Sequence, residues 1–565
     1  SKQCSPRNQP SHTRGNPDVP LLATTLGQAF DATGARHADG EALVVRHQGL
    51  CYTWRQLAEQ VDILARALMA LGVGLGDRVG IWSPNCAEWC ILQIASAKVG
   101  AILVTINPAY RVAELEYVLR QSGCRWLVCA GTFKTSDYHA MVQALVPQTS
   151  RREPGEWASE RLPELRGAIS LAHEPPSGFL PWRALADRAG QTSIEAYEAR
   201  QRQLRCEQPV NIQYTSGTTG APKGATLSHH NILNNGRMVG RSLGLTAHDR
   251  LVIPVPLYHC FGMVMANLGC LTHGSTMIYP NDAFDAELTL RTVAEERASV
   301  LYGVPTMFIA LLDHPVRTQL DLSSLRSGVM AGATCPIEVM RRVIDQLHMA
   351  EVQIAYGMTE TSPVSLQTGP NDALELRVTT VGRTQPHLET KLVDADGMTV
   401  VRGETGELCT RGYSVMLGYW GDPEATRQAI DAAGWMHTGD LAVMDEAGYV
   451  RIVGRNKDMI IRGGENIYPR ELEEFFHTHP AVAEAQVVGI PCSRYGEALV
   501  AWIRLRPDQV VTAAQLQTWC RAHVAHFKVP QHIRFVEAFP MTVTGKVQKF
   551  RMREISIEAY GAVKG

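Results

Sequence analysis

The sequence has no hydrophobic run long enough to cross a bilayer. No stretch of 18 or more uncharged apolar residues occurs. The best candidate, Ile91 to Val104, holds Gln93 and Lys98 and then runs into Asn107-Pro108, which argues against a transmembrane segment. Charge of one sign is also missing. Lys plus Arg is 54 and Asp plus Glu is 56, a net of −2, so there is no electrostatic footprint for nucleic acid or an anionic membrane. None of the 13 cysteines forms a C-x-x-C pair. Cys86 and Cys90 share a helix face and Cys124 and Cys129 bracket a strand, so the thiols read as reduced and structural rather than as zinc ligands or disulfides. No fixed-period repeat is visible. What remains is a globular composition, 45% hydrophobic over 565 residues, at ~100–200 residues per domain enough for several units.

The first 17 residues hold Lys2, Arg7 and Arg14 and no acid, among Ser, Pro, Asn and Gln. This composition fits the tail of an organelle presequence or a disordered solvated leader, so residues 1–20 are set apart. Beyond them the texture alternates. Thr53-x-x-Gln56 reads as a capping box before an amphipathic helix with Leu64, Leu68 and Leu71 on one face. Strands are expected at Arg78–Trp82, Ala101–Ile106 and Trp126–Ala130, with helices at Cys86–Val99 and Val112–Gln121. Residues 148–165 are polar and charged, a surface excursion. The rhythm resumes with strands at Thr276–Tyr279, Ser299–Val304, Gly328–Ala331 and Val352–Tyr356. Helices at Ala286–Glu296, Pro305–Leu312 and Pro336–Leu347 separate them. Such alternation means βαβ units and parallel sheets. From about Leu392 turn residues become dense, as in Asp394-Ala-Asp-Gly397 and Asp445-Glu-Ala-Gly448, marking a β-rich unit. After Gly454-Arg455-Asn456-Lys457 the pattern becomes mixed α+β, with a helix at Arg470–His477. The expected organisation is an α/β N-terminal domain over 21–455 with a β-rich subdomain at about 392–455, and a small α+β C-terminal domain over 456–565.

The strongest chemical signal is Tyr214-Thr-Ser-Gly-Thr-Thr-Gly-Ala-Pro-Lys-Gly224. Glycines let backbone N–H groups face a ligand, hydroxyls donate to anionic oxygens, and Lys223 adds charge. Together they suit a polyphosphate, although this is not a Walker A loop. Ala331-Gly-Ala-Thr334 and Tyr356-Gly-Met-Thr-Glu360 lie at the carboxyl ends of expected parallel strands, the edge where ligands bind. Tyr356 offers a face for a purine, and Glu360 an acceptor for a hard cation such as Mg2+. Taken singly, Asp440 reads as a turn former, Lys546 as a solvated lysine, and His259 as a buried histidine or a pocket wall. His523 with His526 and His477 with His479 resemble metal pairs only superficially.

YTSGTTGAPKG, YGMTE, WMHTGD at 435–440, GRNKDMIIRGGENIYP at 454–469 and PMTVTGKVQK at 540–549 resemble, in order and spacing, the adenylate-forming superfamily. It contains acyl-CoA synthetases, carrier-protein adenylation domains and beetle luciferases. The likeness runs from about residue 25 to 555, and is greatest to mitochondrial medium-chain acyl-CoA synthetases.

The resemblance implies ATP and CoA as co-substrates, Mg2+ as cofactor, a fatty acid as the third small-molecule partner, and a mitochondrial matrix location. Thr215, Ser216, Gly217, Thr218, Thr219, Gly220, Ala221, Pro222 and Lys223 would hold the β- and γ-phosphates. Ala333 and Tyr356 would flank the adenine, with Thr359 at the α-phosphate and Glu360 on the metal. Asp440 and Arg455 would reach the ribose, and Lys546 would sit between the acid and the α-phosphate. His259 would bound the carboxylate and gate the thiol. Lys457 would be the hinge of a mobile C-terminal domain, and Gly463-Gly464 would line the CoA tunnel. The implied activity is acyl adenylate formation with release of pyrophosphate, then transfer to CoA with release of AMP. The alternatives are loading of a carrier protein, of which nothing resembling one follows Lys546, oxidative light emission, and an inactive acyl- or nucleotide-binding protein. Neither chain length nor oligomeric state is written in the motifs.

Overall fold

The computed structural model describes residues 8–215, 221–331, 337–455, 459–467, 469–540 and 547–561. It divides into two compact units. One comprises residues 1–108, 119–213 and 224–454; the other gathers 109–118, 214–223 and 455–565.

In the first unit two large sheets carry the α/β rhythm. One runs in the order Leu180–Pro181, Gly167–Ser170, Trp126–Cys129, Arg78–Trp82, Ile102–Thr105, Pro209–Thr215, Lys223–Ser228, Gly418–Tyr419. The other is built on the parallel strands Glu41–Val45, Thr276–Tyr279, Arg250–Val252, Val300–Gly303, Ser327–Met330 and Gln353–Gly357. All four residues of Ile102–Thr105, Trp126–Cys129, Thr276–Tyr279 and Val300–Gly303 are buried. Strands covered on both faces need continuous apolar runs rather than alternation. Helix Ala87–Lys98 is buried on every side except at Glu88. It lies in a single core with side chains of both sheets, among them Val79, Leu103, Met277 and Tyr302, as expected of a helix apolar all round. Its one cation, Lys98, bonds Asp31 at 2.8 Å and Asp62 at 3.3 Å. The capping box at Thr53 and Gln56 is formed in both directions.

The second sheet does not end at Gln353–Gly357. Val364–Gln367 adds antiparallel to it and Arg383–Thr384 follows. The β-rich portion is a five-stranded antiparallel sheet: His12–Arg14, Leu388–Val393, Gly406–Gly412, Met436–Met444, Val450–Arg455. Asp394 and Asp445 each accept backbone N–H groups from residues two and four along, closing the turns that their sequences announce.

The segment from Gln9 onward pairs with the β-rich sheet. Arg402 N–H donates to the Gln9 carbonyl, His12–Arg14 pairs with Glu389–Lys391, and His12 Nε2 lies 2.8 Å from Glu389. A polar strand whose partner is nearly 400 residues away leaves no local pattern to read.

In the second unit, Val482–Cys492 and Gly496–Leu505 form a long hairpin, with His532–Phe535 parallel to its second strand. Val487 packs with helices Pro469–His477 and Ala513–His523, and its neighbour Val488 with helix Lys549–Tyr560. Alternate residues thus feed two cores, one on each face.

Candidate active site

Three strands in the first unit gather polar groups. Strand Gln353–Gly357 brings Tyr356 to its carboxyl end, where the register shifts after Tyr356. Gly357 is required there: a Cβ would lie 1.7 Å from the Pro363 carbonyl oxygen. The chain then makes a 3-10 turn, Thr359–Thr361, which leaves Thr359 half-buried and draws Glu360 inward. Glu360 is only 6% exposed. Its Oε2 accepts from the Tyr419 hydroxyl at 2.8 Å, and burial pushes its carboxyl above the ordinary range. A buried carboxylate with this donor fits an oxygen ligand for a hard cation.

Tyr419 is held by the sheet. Its strand pairs antiparallel with Lys223–Ser228 through Ala225, the strand that leaves the phosphate-loop motif. The Glu360 carboxylate is thereby tied, through one tyrosine, to that strand.

Asp440 lies on Met436–Met444 just after Gly439, whose φ of +75° favours glycine. The Thr438 hydroxyl accepts from the Asp440 N–H at 3.1 Å and donates to the Leu408 carbonyl at 2.7 Å. The Tyr356 hydroxyl donates to the Asp440 carboxylate. Tyr356, Thr359, Glu360 and Asp440 therefore stand close together.

His259 lies against Tyr258, with ring centroids 4.1 Å apart and the planes tilted by 33°. Its carbonyl accepts from the N–H groups of Gly262 and Met263, at the entrance to the π-helix Phe261–Leu268. A wide helix misplaces carbonyl groups, and such turns recur at functional sites. Here Gln93 donates to the Met263 carbonyl at 2.9 Å and Tyr302 to that of Met265 at 3.2 Å. Asn267 bridges Gln93 and Tyr279.

In the second unit, Thr215 Oγ1 reaches the Lys223 carbonyl at 3.5 Å, and the Tyr117 hydroxyl donates to Pro222 at 2.9 Å. Ala221 lies beside them in sequence. Gly463 and Gly464, with φ of +55° and +81°, make the two-residue turn joining Ile460–Arg462 to Glu465–Ile467. Such a tight hairpin needs positive φ at both central positions. Arg455 ends the strand Val450–Arg455. Ser216 to Gly220, Ala333, Lys457 and Lys546 lie outside the described residues.

Sequence reasoning did not single out Tyr419 or Tyr117, since neither belongs to the motif it supports. The π-helix was legible only as an apolar run. Asn267 within it and Gln93 in an otherwise apolar helix were the available signals.

The chain matches the AMP-binding enzyme family over residues 30–420 and the AMP-binding enzyme C-terminal domain over residues 471–546. It belongs to the AMP-binding enzyme family, the adenylate-forming superfamily. It is similar to the mitochondrial medium-chain acyl-CoA ligase ACSF2 of Bos taurus, 45% identical over 549 residues, covering 96% of this chain and 89% of that one. It is equally similar to the putative acyl-CoA synthetase YngI of Bacillus subtilis (strain 168), 45% identical over 541 residues, covering 96% and 98%. Among solved structures, the amide bond synthetase McbA from Marinactinospora thermotolerans superposes with a TM-score of 0.79 at 27% identity, over 94% of this chain and 99% of that one.

Proposed function

We infer that the chain is an AMP-forming acyl-CoA ligase acting on a medium-chain fatty acid. A carboxylate is a poor acyl donor, because its leaving group would be an oxide. Attack of one carboxylate oxygen on the ATP α-phosphorus gives an acyl adenylate and expels pyrophosphate. The CoA thiol then attacks the acyl carbon, and AMP leaves. Two anions meet in the first step, so positive charge and oriented donors dominate it.

The observation that carries the reading is the gathering of Tyr356, Glu360 and Asp440, with Glu360 tied through Tyr419 to the strand leaving the phosphate loop. Tyr356 and Ala333 flank the adenine, and Thr359 bonds the α-phosphate. Asp440 accepts from the ribose hydroxyls, with Arg455 beside it. Residues Thr215 to Lys223 hold the outer phosphates. Glu360 would hold Mg2+, which when bound neutralises charge on the phosphates. Lys546 bridges the acid and the α-phosphate. His259, at the mouth of the π-helix, bounds the acid. The domain boundary falls at 455/456, Lys457 is the hinge, and Gly463-Gly464 belong to the thiol step. No helix among the described residues is long and apolar enough to cross a membrane. Mitochondrial residence is supported by the animal relative's name; the location of the full chain carrying a C-terminal reporter tests it.

The purified chain, given ATP, Mg2+, CoA and a panel of acids from C2 to C18 plus benzoate, should form CoA thioesters with AMP in equal amounts. The highest kcat/KM should fall at intermediate lengths. A maximum at C2, C18 or benzoate would overturn the medium-chain assignment, and adenylate without thioester the ligase assignment. Lys546→Ala should cut adenylation by ~10²–10³, as for loss of one transition-state donor, and spare thioester formation from preformed adenylate. Equal losses in both half-reactions would contradict its role.

A further inference from the structure

His437 stands in the WMHTGD segment but takes no part in the chemistry above. It lies opposite Cys409 in the antiparallel pair of Gly406–Gly412 with Met436–Met444, where facing side chains stand close. The register shifts between Glu407 and Cys409, and the Glu407 carboxylate comes to the same imidazole. His437 Nδ1 is 2.7 Å from Glu407 Oε1 and 3.4 Å from Cys409 Sγ. One ligand atom from each of the three residues lies within 4.8 Å of the other two. On the far side of the ring, Nε2 is 3.1 Å from Asp431 Oδ2.

We propose that Cys409, His437 and Glu407 form a binding site for a zinc-class divalent cation, with Asp431 as the carboxylate that orients the imidazole. Thiolate, imidazole and carboxylate are the zinc ligand set. The sulfur–nitrogen separation is near the ~3.5 Å expected of two tetrahedral ligands on one ion at ~2.3 and ~2.0 Å. Asp431 on Nε2 directs the Nδ1 lone pair toward the sulfur, the arrangement of a carboxylate–histidine–zinc unit. The Glu407–His437 spacing is that of a hydrogen bond, so in the ion-free chain a proton lies between them. Entry of the cation expels that proton and the Cys409 thiol proton to solvent, and three protein bonds to the metal form. Cys409 is fully buried, while Glu407, His437 and Asp431 remain partly exposed, so the ion has a path in and water a fourth position. Lys391, across from Cys409 on the next strand, keeps its ammonium over the Trp435 ring, 4.3 Å from the centroid.

The site sits three residues before Asp440 on the same strand. A bound ion would pin that strand to its neighbour and so position Asp440 without touching substrate. The proposal is independent of the ligase reading, and its test does not use activity.

The full chain, stripped with chelator under a thiol reductant, is titrated with Co2+. One equivalent should bind, with tetrahedral visible bands and a near-ultraviolet thiolate-to-cobalt band, and Zn2+ should displace it. Cys409→Ser should remove the near-ultraviolet band, while Cys51→Ala, at an exposed thiol, should leave it unchanged. Asp431→Asn should weaken Co2+ binding roughly 10–100-fold. Thermal unfolding of the unaltered chain provides the readout that needs no variant: Zn2+ should raise Tm and chelator return it. No thiolate band, a band that persists in Cys409→Ser, or a Tm indifferent to Zn2+ would each overturn the proposal.

Discussion

His229 is almost fully buried, and its Nδ1 accepts the Leu26 N–H at 3.0 Å. That N–H opens helix Leu26–Arg36, where no intrahelical partner exists. The imidazole must stay neutral to accept, and burial lowers its pKa to about 4. Protonation therefore favours the unfolded chain. The stabilisation is complete above the unfolded pKa of 6.5 and is lost as pH falls toward 4. Between those values the first unit should lose roughly 1.4 kcal/mol per pH unit from this residue, about 3 kcal/mol in all. His229→Asn keeps an acceptor without the titration, so its denaturation midpoint should vary less with pH over that range. An unchanged slope would contradict the assignment. Asp440 belongs at the same scale. In its proposed role as acceptor for ribose hydroxyls, it would anchor substrate and transition state alike. A charge-assisted hydrogen bond contributes roughly 1.5–3 kcal/mol, so Asp440→Ala should raise the KM for ATP about tenfold or more. An unchanged KM with full kcat would leave Asp440 a turn residue only. What the sequence could not display at this scale is pairing at a distance. Glu360 was visible in YGMTE, but its donor Tyr419 stands 59 residues on and carries no signal of its own.

Among elements, the π-helix Phe261–Leu268 and the buried cation of the second unit make separate predictions. Gly262 is pressed against the preceding loop, where a Cβ would lie 2.3 Å from the Pro256 carbonyl oxygen. Gly262→Ala should push the helix from Pro256 and His259 and destabilise the first unit by ~1–3 kcal/mol. A change under ~0.5 kcal/mol in urea unfolding would show that the loop yields freely. Lys528 is 2% exposed on its side chain and bonds Glu114 at 3.0 Å and Glu471 at 2.7 Å. Both carboxylates hold its pKa well above the ordinary value. Lys528→Ala should cost about 3–5 kcal/mol, because two carboxylates would remain buried without their cation. Adding Glu114→Gln and Glu471→Gln should recover part of that loss; no recovery would contradict the charge argument. The elements were legible where local chemistry decides them. Thr276–Tyr279 is a bounded apolar run, and Ala286–Glu296 starts at Asp285, whose side chain caps it. Pitch was not legible in Phe261–Leu268, since a run apolar on every side has no face to count. Nor was Val364–Gln367, which turns back against Gln353–Gly357 only because Gly357 admits the Pro363 carbonyl.

For the whole molecule, the alternation of apolar runs and helices announced the parallel sheets, and the turn-rich stretch announced the antiparallel one. Residues 9–14 were hidden by their polarity, since only the distant strand Leu388–Val393 makes them part of a sheet. The ordered motifs implied two half-reactions at one carbonyl, and these need different groups beside it. Lys457→Pro, with φ fixed near −65°, should leave adenylate formation nearly intact and suppress thioester formation; wild-type thioester rates from preformed adenylate would displace the hinge. One step decides the chemistry whatever the hinge: in the proposed reaction the acid's own oxygen attacks the α-phosphorus. With octanoate carrying 18O in both carboxylate positions, turnover with ATP and CoA should place one 18O in the phosphate of each AMP released. Label found in pyrophosphate or inorganic phosphate, or AMP without label, would contradict the account.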